Sequence, residues 1–403
     1  MSSNRTISKS ALSVRNFAVK ISEGSTSQQS SSLDIVTLIT VTILTMIGLI
    51  MVYSVTLHAG FAYLNGQILR MCVGLCAMVI ASIVPYKYYR GRVKDVLLIG
   101  TIILLILTLT IGRKVAVARR WALFFQPAEI AKYTVIIWLC GYFANLREKQ
   151  SSSVTKLKKL NNFPFLPLFV VGIIVMLLLL QPAVGTSAIL ALSTLLIFYI
   201  SGVKLKYLFL IAAIGITIFS LSIVTIPYAK KRFNEFRNGT TYQQMQSKIA
   251  IGSGGVLGKG LGEGKQKFNF LPKLHTDFIF SAIGEEFGLI GSCVVLILFF
   301  ILLSRGLKVG IESNNDFGLL LASGITILVF EYFLVHLGVA LSILPTTGQP
   351  LPFISYGGSA LVTNLYAIGI ILNISKFRRN KIDKNSNYNR WHRRAYFPRS
   401  RSW

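Results

Sequence analysis

The sequence predicts an all-α integral membrane protein: ten transmembrane helices, a long outer loop between helices seven and eight, and both termini cytoplasmic. Three observations predict it. Of 403 residues, 53% are hydrophobic and only 14% charged, more apolar chain than a soluble core can hide. The apolar residues gather into runs near twenty residues, the length that crosses about 30 Å of hydrocarbon. Finally, Lys and Arg crowd the segments that this count places on one side.

In chain order, the polar, Ser-rich segment 1–33 has no apolar core, so it reads as a cytoplasmic extension and not a cleavable signal peptide. The spans follow at about 34–55, 61–84, 95–112, 126–145, 164–182, 185–202, 205–226, 277–303, 316–342 and 353–375. The fifth and sixth are separated only by "QPAVGT", which fits a tight turn between two helices. Basic segments at 85–94, 146–163, 203–206 and 304–310 all fall on one side, with both termini. The positive-inside rule assigns that side to the cytoplasm. It also accounts for the net charge of +28 without nucleic acid as a partner. The basic, aromatic tail within 377–403 reads as a cytoplasmic anchor for the membrane surface or a partner. Cys72, Cys76, Cys140 and Cys293 lie inside apolar runs with no CxxC, so neither a disulfide framework nor a zinc site is indicated.

Two basic segments oppose the topogenic bias. One is "GRKVAVARRW" at 112–121. The other is the outer loop 227–276, where Lys and Arg far outnumber Glu235 and Glu263. They point to an anion at the outer membrane surface, although solvated loop charge accounts for them equally well. The outer loop also carries "SKIAIGSGGVLGKGLGEGKQKF", glycines interleaved with Lys259, Lys265 and Lys267. Such runs let backbone N–H groups approach phosphate oxygens, and they also make plain flexible turns.

Three further constellations carry polar chemistry. Pro127 suits a first helical turn, and Glu129 and Lys132 share one face of the span that follows. "LPTTGQPLPFISYGGSA" at 344–360 has too much Pro and Gly for continuous helix and reads as a partly re-entrant cavity wall. "FLPKLHTDFIFSAIGEEFGLIG" at 270–291 puts Asp277 at the start of a span, with Ser281 and Glu285 on roughly one stripe. Asp277 suits a helix N-cap and equally a general base. Glu285 and Glu286 are expected to brace the helix against Lys132 or an arginine.

Together, "ARRW…QPAEIAK", "QPAVGT", "IAIGSGGVLGKGLG", "LPKLHTDFIFSAIGEEFGLIG" and "LPTTGQPLPFISYGGS" resemble, in the same order, the SEDS membrane proteins (shape, elongation, division, sporulation), the FtsW/RodA/SpoVE family. The likeness runs from about 34 to 376. "MVYS" at 51–54, "IGEEFG" at 283–288 and the polar N-terminal segment lean toward the division branch, FtsW. The resemblance implies ten helices and a peptidoglycan glycosyltransferase that polymerises lipid II at the outer face of the cytoplasmic membrane, at the septum. An elongation polymerase of the RodA kind and a lipid II flippase are the alternatives. It also implies a class B penicillin-binding protein and other division proteins as partners.

By the same resemblance Asp277 matches the family's essential acid, the proposed base for the acceptor sugar's hydroxyl. Arg120, Glu129 and Lys132 match polar motif positions. Lys259, Lys265, Lys267, His275 and Ser355 are further candidates for substrate contact. The leaving diphosphate needs cations, and a divalent ion, Mg or Mn, could supply part of that charge. Three positions depart from the family pattern: Ala183 stands where it has an acid, Val117 where it has Gly, and Ala128 where it has Ser.

Overall fold

The computed structural model describes residues 33–57, 60–115, 118–121, 125–150, 163–239, 241–268 and 270–377. The expected roles of segment 1–32 and of the tail from 378 lie outside them. Long helices occupy all ten apolar segments: α1 Ile35–Thr56, α2 Phe61–Ile83, α3 Val93–Ile111, α4 Pro127–Gln150, α5 Phe165–Leu180, α6 Val184–Ile200 and α7 Leu205–Thr225. After two shorter helices, α8 Pro227–Arg237 and α9 Tyr242–Gly254, come α10 Ile279–Ile311, α11 Asp316–Ala340 and α12 Gly358–Ser375. Seven of these are long and apolar enough to cross a membrane, so the chain is a multi-pass membrane protein.

The all-α architecture holds, and two expectations within it need correction. A minor hairpin is added to the helices. Arg113–Val115 and Ala118–Trp121 form a small antiparallel hairpin, β1 and β2, within the basic segment before α4. Segment 227–276, expected as a loop, also carries helices α8 and α9. Both helices are too short and too polar to register as apolar runs. The last span begins only at Gly358, because 344–357 is irregular. The "QPAVGT" reading holds: only three residues separate α5 from α6.

Helix α11 lies at the centre, packed on α10, α4, α6 and α12. Its apolar window is 72% buried, against 17% for the peripheral α7. A clasp ties three helices at the end away from the Asp277 turn. Asp34, 3% exposed, pairs with Arg305 of α10, and its N–H donates to Ser375 Oγ of α12 at 3.0 Å. A charge so deeply buried needs such partners, since desolvation costs it several kcal/mol.

Candidate active site

Asp277 sits in a turn just before α10. Lys273 takes the left-handed conformation, φ +60°. Its carbonyl accepts the N–H of Thr276 at 3.1 Å and of Asp277 at 3.0 Å. A non-glycine residue held there is strained, and such strain persists only where surrounding structure demands it. Phe278, not Asp277, is the N-cap of α10. The capping role and the shared stripe with Ser281 and Glu285 therefore do not form. Ser281 Oγ instead meets Ser247 Oγ at 2.6 Å.

Segment 344–357 presses against this turn. Ser355 Oγ donates to the Thr276 carbonyl at 2.7 Å and accepts the Leu351 N–H at 2.8 Å. The Tyr356 N–H donates to the His275 carbonyl at 2.9 Å. Gly348 stands beside the carboxylate: a Cβ there would lie 3.7 Å from Asp277 Oδ2 and 3.9 Å from Arg232 Nη1. The acid and the guanidinium thus converge on one glycine from two elements. Arg232 of α8 also donates to the Thr346 carbonyl.

His275 packs its ring against Tyr63 of α2 at 5.3 Å and Tyr356 at 5.7 Å, and Arg70 lies 4.3 Å over the Tyr356 ring. Burial pushes the His275 imidazole below its ordinary value, and the Asp277 charge partly offsets that. The ring is therefore neutral near pH 7. Two cavities lie near this turn. One, about 480 Å³, is lined by Tyr63, His275, Lys267 and Lys273. The other, about 180 Å³, is mostly apolar, with Gly185, Ala188, Ile223 and Phe233 beside Arg232 and Thr347.

The other expected site residues divide. His275 and Lys267 join the Asp277 region through the larger cavity, and Lys267 also donates to the Gly262 carbonyl. Ser355 is 2% exposed and engages the turn with both its donor and its acceptor. Arg120 lies on β2, and its side chain is outside the described residues. Glu129 and Lys132 meet at 2.6 Å with side chains 3% and 2% exposed. Lys132 Nζ lies 3.9 Å over the Tyr332 ring of α11. That sealed pair neutralises itself inside the bundle.

The glycine-rich segment closes around the protein's own acids. Lys259 Nζ is 2.8 Å from Glu285 Oε1, and the carboxylate also accepts the N–H of Lys265 at 2.9 Å and of Gln266 at 3.2 Å. Ser54, from "MVYS", donates to Glu286 at 2.7 Å. The expected braces, Lys132 or an arginine, are replaced by Lys259 and Ser54. Those N–H groups are spent on a carboxylate, so this nest is already filled. Lys265 remains exposed, as does Lys273. Sequence reasoning missed Arg232 and Lys273 as site residues. Arg232 was one basic residue among many, and nothing local marks its approach to Gly348.

Among the described residues, no group of three or more His, Cys, Asp or Glu side chains is placed to hold a metal ion. Arg232, a cation, approaches the same glycine as Asp277. This donor set does not fit a resident divalent ion.

The family model described as "Cell cycle protein", that of FtsW, RodA and SpoVE, matches residues 34–380. The chain is 35% identical over 362 residues to the probable peptidoglycan glycosyltransferase FtsW of Geobacter metallireducens, covering 85% of this chain and 94% of that one. It is 32% identical over 370 residues to stage V sporulation protein E of Bacillus subtilis, covering 87% and 99%. Among solved structures, a chain of a peptidoglycan synthase complex superposes with a TM-score of 0.71 at 23% identity, covering 87% of this chain and 99% of that one. The rod shape determining protein RodA of Thermus thermophilus does so with a TM-score of 0.66 at 24% identity, with the same coverage. On the length of the family match, the close agreement with these relatives and the shared fold, the chain belongs to the FtsW/RodA/SpoVE family of cell cycle proteins.

Proposed function

We propose that this protein is a peptidoglycan glycosyltransferase that polymerises lipid II, with Asp277 as its general base. The observation that carries the proposal is the meeting of Asp277 and Arg232 at Gly348, on a strained turn near two cavities. The acceptor hydroxyl gives its proton to the Asp277 carboxylate as its oxygen attacks the donor's anomeric carbon. The bond from that carbon to the lipid diphosphate breaks, and Arg232 with Lys273 offsets the charge that leaves. The apolar cavity beside Arg232 suits the lipid-linked donor. The larger polar cavity, about 480 Å³ with Tyr63 and His275, suits the acceptor saccharide. A divalent ion, Mg or Mn, would offset part of the charge on the diphosphate.

In this reading the ten long helices all span the membrane and both termini are cytoplasmic. The Asp277 turn, α8 and α9 then face outward, where lipid II is polymerised. The FtsW relatives favour a septal role, with a class B penicillin-binding protein cross-linking the new strands. The decisive test is glycan formation by the purified protein from lipid II. Asp277→Ala and Asp277→Asn should each lose at least about a hundredfold in rate, the scale of a positioned general base. Normal polymerisation by both would remove Asp277 from the reaction. Fluorescent fusions in growing cells would separate septal placement from a side-wall role.

A further inference from the structure

His336 of α11 is 1% exposed, and no step above uses it. Its Nδ1 lies 3.0 Å from the carbonyl oxygen of Gln349. A carbonyl only accepts, so Nδ1 carries the hydrogen and Nε2 of the neutral ring is an acceptor. That Nε2 is buried, with no hydrogen-bond partner among the described residues. A ring kept only for its volume would carry a desolvation cost that an apolar side chain avoids. What the ring supplies is the Nδ1–H, to a carbonyl in irregular backbone that a helix ladder cannot satisfy.

The bond reaches Asp277 through one residue. Gln349 follows Gly348, which has φ +70° and stands against Asp277 Oδ2. Gln349 is held a second time, where its Nε2 donates to Thr186 Oγ1 of α6 at 3.1 Å. Asp277 interacts electrostatically with both His336 and His275, and Arg232 approaches the same glycine from α8. Lys273 belongs to the same turn, its carbonyl accepting the Asp277 N–H.

We propose that His336 is a positioning residue for Asp277: its Nδ1–H clamps the Gly348–Gln349 backbone, and that backbone sets where the carboxylate meets the acceptor hydroxyl. The inference rests on Asp277 being the base. It is tested with full-length protein in detergent, lipid II as substrate, and folding monitored by thermal unfolding. His336→Ala should lower kcat by about tenfold to a hundredfold with KM nearly unchanged, the signature of a misplaced catalytic group.

His336→Asn places an amide N–H where Nδ1 was and cannot titrate. It should restore kcat with KM nearly unchanged. A folded His336→Ala protein with wild-type kcat would overturn the proposal. So would a folded His336→Asn protein that has lost activity, and that variant decides the matter alone if His336→Ala does not fold. If Asp277→Ala is itself active, the base assignment fails instead, whatever His336 does.

Discussion

Lys259 shows how much a residue's role depends on what faces it. In the sequence it is a lysine among glycines, the composition of a phosphate nest. In the fold its ammonium sits 2.8 Å from Glu285, whose side chain is 2% exposed, and 2.7 Å from Ser253 Oγ. Removing one partner of such a pair leaves a buried charge short of a donor. Because the lysine side chain is 28% exposed and two N–H groups remain on Glu285, Lys259→Met should cost about 1–3 kcal/mol and not more. Thermal unfolding should show that loss, while KM for lipid II stays within about twofold of wild type. A large rise in KM at unchanged stability would return Lys259 to the substrate. The basic character of the segment was legible in the chain. The direction each lysine points was not, because its partner lies 26 positions away.

At the scale of elements, α10 matters most, because it is two helices joined at a break. Gly288, φ +64°, interrupts it nine residues from its start. The N–H groups of Leu289 and Ile290 turn aside to the carbonyls of Gly255 and Val256, at 2.9 and 3.2 Å. The glycine-rich segment therefore completes a membrane helix. Its Gly258, φ +84°, leaves no room for a side chain: a Cβ would stand 2.2 Å from the Glu286 carbonyl, and one on Gly288 would stand 2.4 Å from the Gly258 nitrogen. Both positions combine a left-handed backbone with a backbone clash. Gly258→Ala and Gly288→Ala should each destabilise the protein by about 2–4 kcal/mol. Melting temperatures in detergent would show it, and wild-type values would mean that the joint relaxes freely. The motif "IGEEFG" announced a special segment, but only its pairing with 254–260 explains why both stretches need glycine.

Across the whole molecule, stability links to pH through His275. Burial lowers its folded pKa below the ordinary 6.5, so between the two values the unfolded chain binds more protons than the folded one. This contribution to stability is present above that window and is lost as pH falls through it. Melting temperature should therefore drop from about pH 7.5 to about pH 5.5, and His275→Gln should flatten part of that slope. An unchanged slope in the variant would assign the effect to other groups. The same ring lines the larger cavity, so the pH response is read out beside the candidate active site. The opposite end is held by Asp34, Arg305 and Ser375. Among the seven candidate spans, α7 is the least buried.

The chain by itself determined where the long helices lie, because hydrocarbon thickness sets run length and water excludes such runs from any other fate. It also determined that 344–360 cannot be one continuous helix, since Pro and Gly there cannot hold a helical ladder. It singled out Asp277 as an acid at a membrane boundary. Only the tertiary structure decided what these parts touch. Arg232 reaches the acid's glycine across more than a hundred residues, Glu285 turns Lys259 inward, and Lys132 disappears into a sealed pair with Glu129. Local sequence records hydrophobicity and backbone preference. The neighbours of a charge depend on which helices pack side by side, and in a bundle whose spans are all apolar that choice rests on packing and buried polar contacts between distant positions.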